Sequence, residues 1–296
     1  MRKQNEIIIN TPTEFSFKEC LTFLSREPNE ILHKIEGETF YKLLQIDKEN
    51  ILIKVTSPKN NKLHIEALNT GLEKKHIPII ENYIVKLFDL DNDISEFYKL
   101  CKKDKIMNSV ADKYYGLRII GIPNLFEALC WAIIGQHINL KFAYTIKKNF
   151  TEQYGESIEY NGVKHWLFPN PEVVADLSVN ELNKLQFTKK KAEYIIGIAE
   201  EIKSGSLKFG LNENANLIEC KLLALKGIGK WTAHYVMMKY FQIPLAFPIA
   251  DVGLHNALKE QMGLAEKPSI EEIEKYFEQF RNWEAYTTFY LWRSLI

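Results

Sequence analysis

The chain has 296 residues, enough for one large domain or two ordinary ones. Hydrophobic residues make up 46% and aromatics 12%, so a real core can be buried and bulk disorder is excluded. Basic and acidic residues balance at 38 each, which excludes a polyelectrolyte tail. Any nucleic-acid contact must come from a local patch or from backbone amides. Cys20, Cys101, Cys130 and Cys220 are widely spaced, with no CxxC, so neither a zinc nor an iron–sulfur site is supported. Scattered thiols suit a reducing compartment. The opening MRKQNEIIIN has a three-residue apolar run, too short for a secretory core, and no apolar stretch approaches the ~20 residues of a membrane span. The expectation is a soluble cytoplasmic protein.

Roughly the first 70 residues read as strands. Phe15 to Phe17 and Ile31 to Ile35 fit edge strands, with a helix between them over 18–25. Phe40 to Ile46 precedes a polar four-residue turn, Asp47 to Asn50. Ile51 to Thr56 follows, with Ile51, Ile53 and Val55 on one face. A second turn, Ser57 to Lys62, leads to Leu63–Ala67, so the pattern is an antiparallel meander. From His76 the period becomes 3.6, with Ile80, Tyr83, Ile84 and Leu87 on one stripe. Helical segments then follow near 94–102, 105–115, 124–134, 139–154, 178–186, 189–204, 216–225, 230–242, 252–262, 269–280 and 283–295. The layout is α+β: an N-terminal β-rich domain over 1–90, then a mostly helical domain over 91–296.

The most informative stretch runs from Leu222 to Ala233. Leu222, Leu223 and Leu225 lead into Gly227-Ile228-Gly229, and a new helix starts at once with Lys230-Trp231-Thr232-Ala233. Two glycines two apart permit a tight turn and close backbone approach. Free amides at the new helix start, with the helix dipole and Lys230, favour a phosphate. An ordinary helix–helix turn would use the same three residues, but the flanking Leu-x-Gly-Ile-Gly-x-Trp-Thr-Ala is more specific. Downstream, Pro248 closes an extended entry and Asp251 stands just before a helix. There it suits both an N-cap and a carboxylate aimed by helix-start amides. Trp231 and Tyr235, four apart, share a helix face that Met238 continues. Such a stripe is either core or an aromatic wall for a flat, cationic ring. Trp283, Tyr286, Tyr290 and Trp292 are similarly ambiguous. Lys189-Lys190-Lys191 reads as a solvated helix start or a phosphate contact. His64-Ile65-Glu66 lacks the PCxxC of a zinc deaminase, and Asp91-Asn92-Asp93 fails as a calcium loop because Glu96 replaces the required Gly.

The hairpin block plus Phe247-Pro248-x-x-Asp251 resembles the helix-hairpin-helix superfamily of DNA glycosylases, most closely the DNA-3-methyladenine glycosylase II (AlkA) type. Gly116-Leu117-Arg118-Ile119-Ile120-Gly121 with Ile133-Ile134-Gly135-Gln136 is similar to the opening of that family's core. Arg281-Asn282-Trp283-Glu284-Ala285-Tyr286, ending in Tyr290-Leu291-Trp292-Arg293, is similar to its C-terminal helix. The resemblance spans roughly 110–295 and places the helix-hairpin-helix at about 216–242.

The resemblance implies that Asp251 is the catalytic aspartate and that Trp231, Tyr235 and Trp283 line a base pocket. It puts Gln136 and His137 where a wedge enters the duplex. Leu225, Gly227, Ile228, Gly229, Lys230 and Thr232 fall on the DNA-holding hairpin, where Na+ or K+ can bridge carbonyls near Leu225 and Ile228 to a phosphate. No metal site made of side chains and no other cofactor is implied. In the bifunctional members a catalytic Lys follows the Gly-x-Gly-x run; here that place is Trp231, and indole cannot form a Schiff base, so no lyase step is expected. The implied activity is excision of alkylated purines, 3-methyladenine type, from damaged double-stranded DNA by a monomer, with base flipping and Asp-assisted hydrolysis. A glycosylase for hypoxanthine or an oxidised purine, and a non-catalytic DNA-binding module, remain the alternatives.

Overall fold

The computed structural model describes residues 6–58, 61–210 and 213–296. The chain opens with β1 (Glu6–Asn10), α1 (Phe17–Leu24), β2 (His33–Glu36), β3 (Thr39–Ile46), β4 (Glu49–Thr56) and β5 (Lys62–Ala67). These strands form one antiparallel sheet in the order β1-β5-β4-β3-β2. The helical body follows as α2 (His76–Leu87), α3 (Ser95–Cys101), α4 (Lys105–Lys113), α5 (Leu125–Gly135) and α6 (Leu140–Tyr154). A second hairpin, β6 (Ser157–Tyr160) and β7 (Val163–Trp166), interrupts it. Then come α7 (Pro171–Val174), α8 (Val179–Lys184), α9 (Lys189–Lys203), α10 (Ala215–Leu223), α11 (Lys230–Lys239), α12 (Val252–Met262), α13 (Ile270–Phe277) and α14 (Glu284–Arg293). Sheet first, helices after, is the α+β order that the sequence predicts.

Local details differ from the sequence reading, each for a physical reason. Phe15 to Phe17 is not a strand. Ser16 caps α1 instead, its hydroxyl accepting from Glu19 N–H at 3.2 Å. The turn after β3 is two residues long: Ile46 pairs with Glu49, leaving Asp47 (φ 48°) and Lys48 (φ 69°) in the left-handed region. Both central residues at positive φ match the twist of the flanking strands. The edge strand expected at Ile31 to Ile35 lies at His33–Glu36. β1 was unexpected as a strand; it pairs with β5 from Glu6↔Glu66 to Asn10↔Lys62, with Ile7 buried and Ile8 exposed. The expected turn Ser57 to Lys62 includes residues 59 and 60, outside the described residues.

The sheet and the helical body share one continuous core. Phe17, Phe40 and Phe88 meet edge to face at 5.7 and 6.1 Å, joining α1, β3 and the end of α2. Leu43 and Leu52 pair on the opposite face of the sheet, yet are buried. The second hairpin lies over that face. Glu156 accepts from Gln45 and Asn50 amides at 3.0 and 3.2 Å, and His165 meets the Tyr41 ring at 6.2 Å. The division expected after residue 90 falls between α2 and α3, and buried side chains run across it. Asp89 accepts from the Tyr286 hydroxyl and from Asn92 Nδ2, while fully buried Arg118 donates to the Asn92 carbonyl at 2.9 Å. Burial pushes the Asp89 carboxyl up to about 6. This polar knot fixes α14, every residue of which from Ala285 to Leu291 is buried. Among the described residues no helix is long and apolar enough to cross a membrane.

Candidate active site

The hairpin of helices sits where the sequence places it. Asn214 caps α10, and Ile228 N–H donates to the Leu225 carbonyl at 3.1 Å across the turn. Gly227 has φ +89°, and a Cβ there would lie 2.2 Å from the Tyr194 ring of α9, so the backbone rests directly on that ring. Gly229 is the N-cap of α11 and supplies no side-chain cap, which leaves the first amides of α11 free for an outside acceptor. Lys226 and Lys230 are exposed beside them; Leu225 and Ile228 turn their side chains into the core. Only the backbone of those two residues can meet a ligand. Thr232 is 2% exposed, and its hydroxyl accepts from Gln136, so it is an internal latch rather than a surface contact.

Asp251 fills both roles that its position allows. As N-cap of α12, its Oδ1 accepts from Leu254 N–H at 2.9 Å. The same oxygen accepts from Trp292 Nε1 at 2.8 Å, and Oδ2 accepts from Trp231 Nε1 at 3.1 Å. One helix-start amide and two indoles therefore aim a half-buried carboxylate between α11, α12 and α14. His234 Nδ1 steadies the entry loop by accepting from Phe247 N–H at 2.9 Å, and Phe247 stacks on Phe277 at 4.4 Å. Tyr235 bridges the two indoles, its ring 5.5 Å from Trp231 and 6.1 Å from Trp292, tilted by 33° and 34°. Its hydroxyl accepts from Trp131 Nε1 at 2.8 Å, and burial pushes its pKa up. An acid beside three flat rings can stabilise positive charge on a bound ligand.

Trp283 is not brought to this group. It precedes α14 and packs on Phe97 and Tyr286 at 6.2 and 5.9 Å. Nine residues further along α14, about 13 Å by helical rise, Trp292 holds the carboxylate. Sequence reasoning named Trp292 only as ambiguous, because two tryptophans in one C-terminal segment, one just before the helix and one near its end, carry no mark of which faces the acid. The Gln136 side chain also departs from the wedge reading. Its Nε2 donates inward to the Gly227 carbonyl and to Thr232 Oγ1, both at 3.0 Å. His137 alone of the pair is exposed, on a left-handed backbone (φ 55°). Met238 is core. Burial pushes the Cys20 and Cys101 thiols up to about 12, which disqualifies them as nucleophiles at neutral pH. Among the described residues, no cluster of three or more His, Cys, Asp or Glu could hold a metal.

Residues 130–282 match the model of the HhH-GPD superfamily base excision DNA repair proteins, and residues 7–129 match the 8-oxoguanine DNA glycosylase N-terminal domain. A Bacillus subtilis protein named DNA-3-methyladenine glycosylase is 42% identical over 98% of this chain and 97% of its own. The chain belongs to the HhH-GPD superfamily of base excision DNA repair proteins. DNA-3-methyladenine glycosylase 2 of Escherichia coli is a more distant superfamily relative, 26% identical over 78% of this chain and 76% of its own. The fold also recurs in 3-methyladenine DNA glycosylase from Archaeoglobus fulgidus (TM-score 0.82, 22% identity, 97% of both chains). It recurs in an 8-oxoguanine glycosylase/lyase from Clostridium acetobutylicum (TM-score 0.73, 19% identity, 98% and 96%).

Proposed function

We propose that this superfamily member is a monofunctional DNA glycosylase that removes alkylated purines of the 3-methyladenine kind from double-stranded DNA. The observation that carries the reading is the Asp251 carboxylate held by Trp231 and Trp292 beside the Tyr235 ring. The 42% identical relative named for that activity supports the substrate class.

In this reading the free amides of α11, with Lys226 and Lys230, hold a phosphate, and His137 enters the duplex. The target nucleotide leaves the stack at a cost of a few kcal/mol, least where damage has weakened pairing. N3- or N7-alkylation makes a purine cationic. The Trp231, Tyr235 and Trp292 faces then favour it by about 0.5–2 kcal/mol through cation–π contact. A positively charged base is a good leaving group, so a single carboxylate suffices. Asp251 stabilises the electron-poor sugar and orients water for attack. The carbonyls of Leu225 and Ile228 are neutral oxygen donors that would suit Na+ or K+, whose charge would strengthen phosphate binding. Trp231 occupies the place of the lyase lysine, so the products are free base and an intact abasic strand. The enzyme acts as a monomer.

The test is release of free base from duplex DNA treated with a methylating agent, with borohydride present in a parallel reaction. The expected result is free methylpurine and no trapped enzyme–DNA adduct; a trapped adduct overturns the monofunctional assignment. The N-terminal match to an 8-oxoguanine glycosylase domain favours a second reading, an enzyme for an oxidised purine. Release of 8-oxoguanine, with none of methylated purine, would select it.

A further inference from the structure

Lys191 breaks ranks with its neighbours. Lys189 and Lys190 are exposed at the start of α9, but Lys191 is 8% exposed. Its Nζ donates to the Ile134 carbonyl and to the Gln136 carbonyl, both at 2.8 Å. These carbonyls close the C-terminal end of α5, where unpaired acceptors and the negative end of the helix dipole favour a cation. No carboxylate is ion-paired to Lys191 among the described residues, and burial lowers its pKa. An ammonium buried without a counter-ion is costly and needs acceptors in place. Here they are two carbonyls of the turn that leads into His137, one of them on the residue just before it.

The same few residues reach the hairpin. Gln136, held through its carbonyl by Lys191, donates its side-chain amide to Gly227 and Thr232. Tyr194, one turn along α9 from Lys191, is the ring on which Gly227 rests. The first two turns of α9 thus grip both the end of α5 and the turn between α10 and α11.

We propose that Lys191 is a positioning residue that locks the His137 loop to the helix hairpin, so that both act on duplex DNA as one rigid part. The proposal rests on the reading of hairpin and loop as DNA-contacting. A clamp of this kind serves the distortion of paired DNA. It is idle on a strand whose bases are already unstacked.

The test compares base release from a methylated oligonucleotide duplex with release from the same methylated strand left unannealed, under single-turnover conditions. Lys191→Met removes the donor and keeps most of the volume. Loss of two charge-assisted hydrogen bonds predicts a fall of about 10- to 100-fold on duplex. On single strands the expected change is under about threefold, and Lys191→Arg should recover most of the duplex rate. Gln136→Met, which leaves the lysine in place, should show the same split, so the proposal stays testable if Lys191→Met folds poorly. Equal losses on both substrates would make Lys191 merely structural and overturn the proposal, as would no loss on either. Wild-type activity on duplex reports separately on the function proposed above.

Discussion

Gly253 is the second residue of α12, and a Cβ added there would lie 2.9 Å from Asp251 Oδ1 and 3.3 Å from two atoms of the Trp292 ring. Ordinary contact for a Cβ begins near 3.4 Å, so Gly253→Ala must displace the carboxylate or the helix by about 0.5 Å. The carboxylate cannot move freely, because three N–H groups hold it. A misplacement of about 1 Å in an active site costs on the order of 100-fold in rate. A displacement of about 0.5 Å then predicts a loss of about tenfold, or about 1.4 kcal/mol of barrier. The fold itself should tolerate the change. Gly253 is helical without a positive φ, and alanine gains about 0.5–1 kcal/mol over glycine in a helix. The melting temperature should stay within about 3 °C of wild type. The assay is single-turnover base release from methylated duplex DNA, with calorimetry on the same sample. A rate within twofold of wild type at an unchanged melting temperature would refute the claim that the seat of Asp251 controls the chemistry.

Other substitutions separate neighbouring roles. Trp292→Phe keeps the ring and deletes the donor to Asp251, so the rate should fall about 10- to 100-fold; Trp283→Phe should stay within about threefold, and equal effects would contradict the placement of these two rings. Gly227→Ala meets both a positive φ and the Tyr194 ring, a cost of about 1–3 kcal/mol. It should lower both the melting temperature and duplex affinity measured by fluorescence anisotropy, and no change in either would contradict the close contact. Stability should also depend on pH through His33, which burial, with nearby Lys42 and Lys147, holds down to about 4 despite Glu30. The unfolded chain takes up the proton near pH 6.5, so stability present above that value is lost as pH falls toward 4. Partial solvent screening limits the loss to about 1–2 kcal/mol. Urea unfolding across this range should show it, and His33→Gln should flatten it; an equally steep fall in the variant would contradict the assignment.

The sequence carried the periodic features well, because burial writes them directly into residue order. The helices around Asp251 and the meander of β3 to β5 are examples. The second β-hairpin was also legible, since Asn161-Gly162 is a two-residue turn signal, with φ 49° and 76° in the structure. Its two strands are only four residues each and lie between two strong helical segments. Ser16 with Glu19 similarly marked the start of α1 where a strand was expected. Three-dimensional choices left no such mark. Nothing in the order of residues tells Trp283 from Trp292, because both are tryptophans near one helix, and packing against α12 decides which meets the acid. Gln136 and Lys191 looked like surface groups because long polar side chains usually are. Only the approach of α5, α9 and the hairpin turns them inward.

In the proposed reaction Asp251 acts on the sugar of a flipped nucleotide. Asp251→Asn keeps the shape of the side chain but removes its charge and puts an amide against the indole N–H groups. The most direct measurement is single-turnover release of base from methylated duplex DNA by this variant, beside its affinity for the same duplex. The expected rate is about 100- to 1,000-fold below wild type, with affinity within about threefold. Release at the wild-type rate would contradict it.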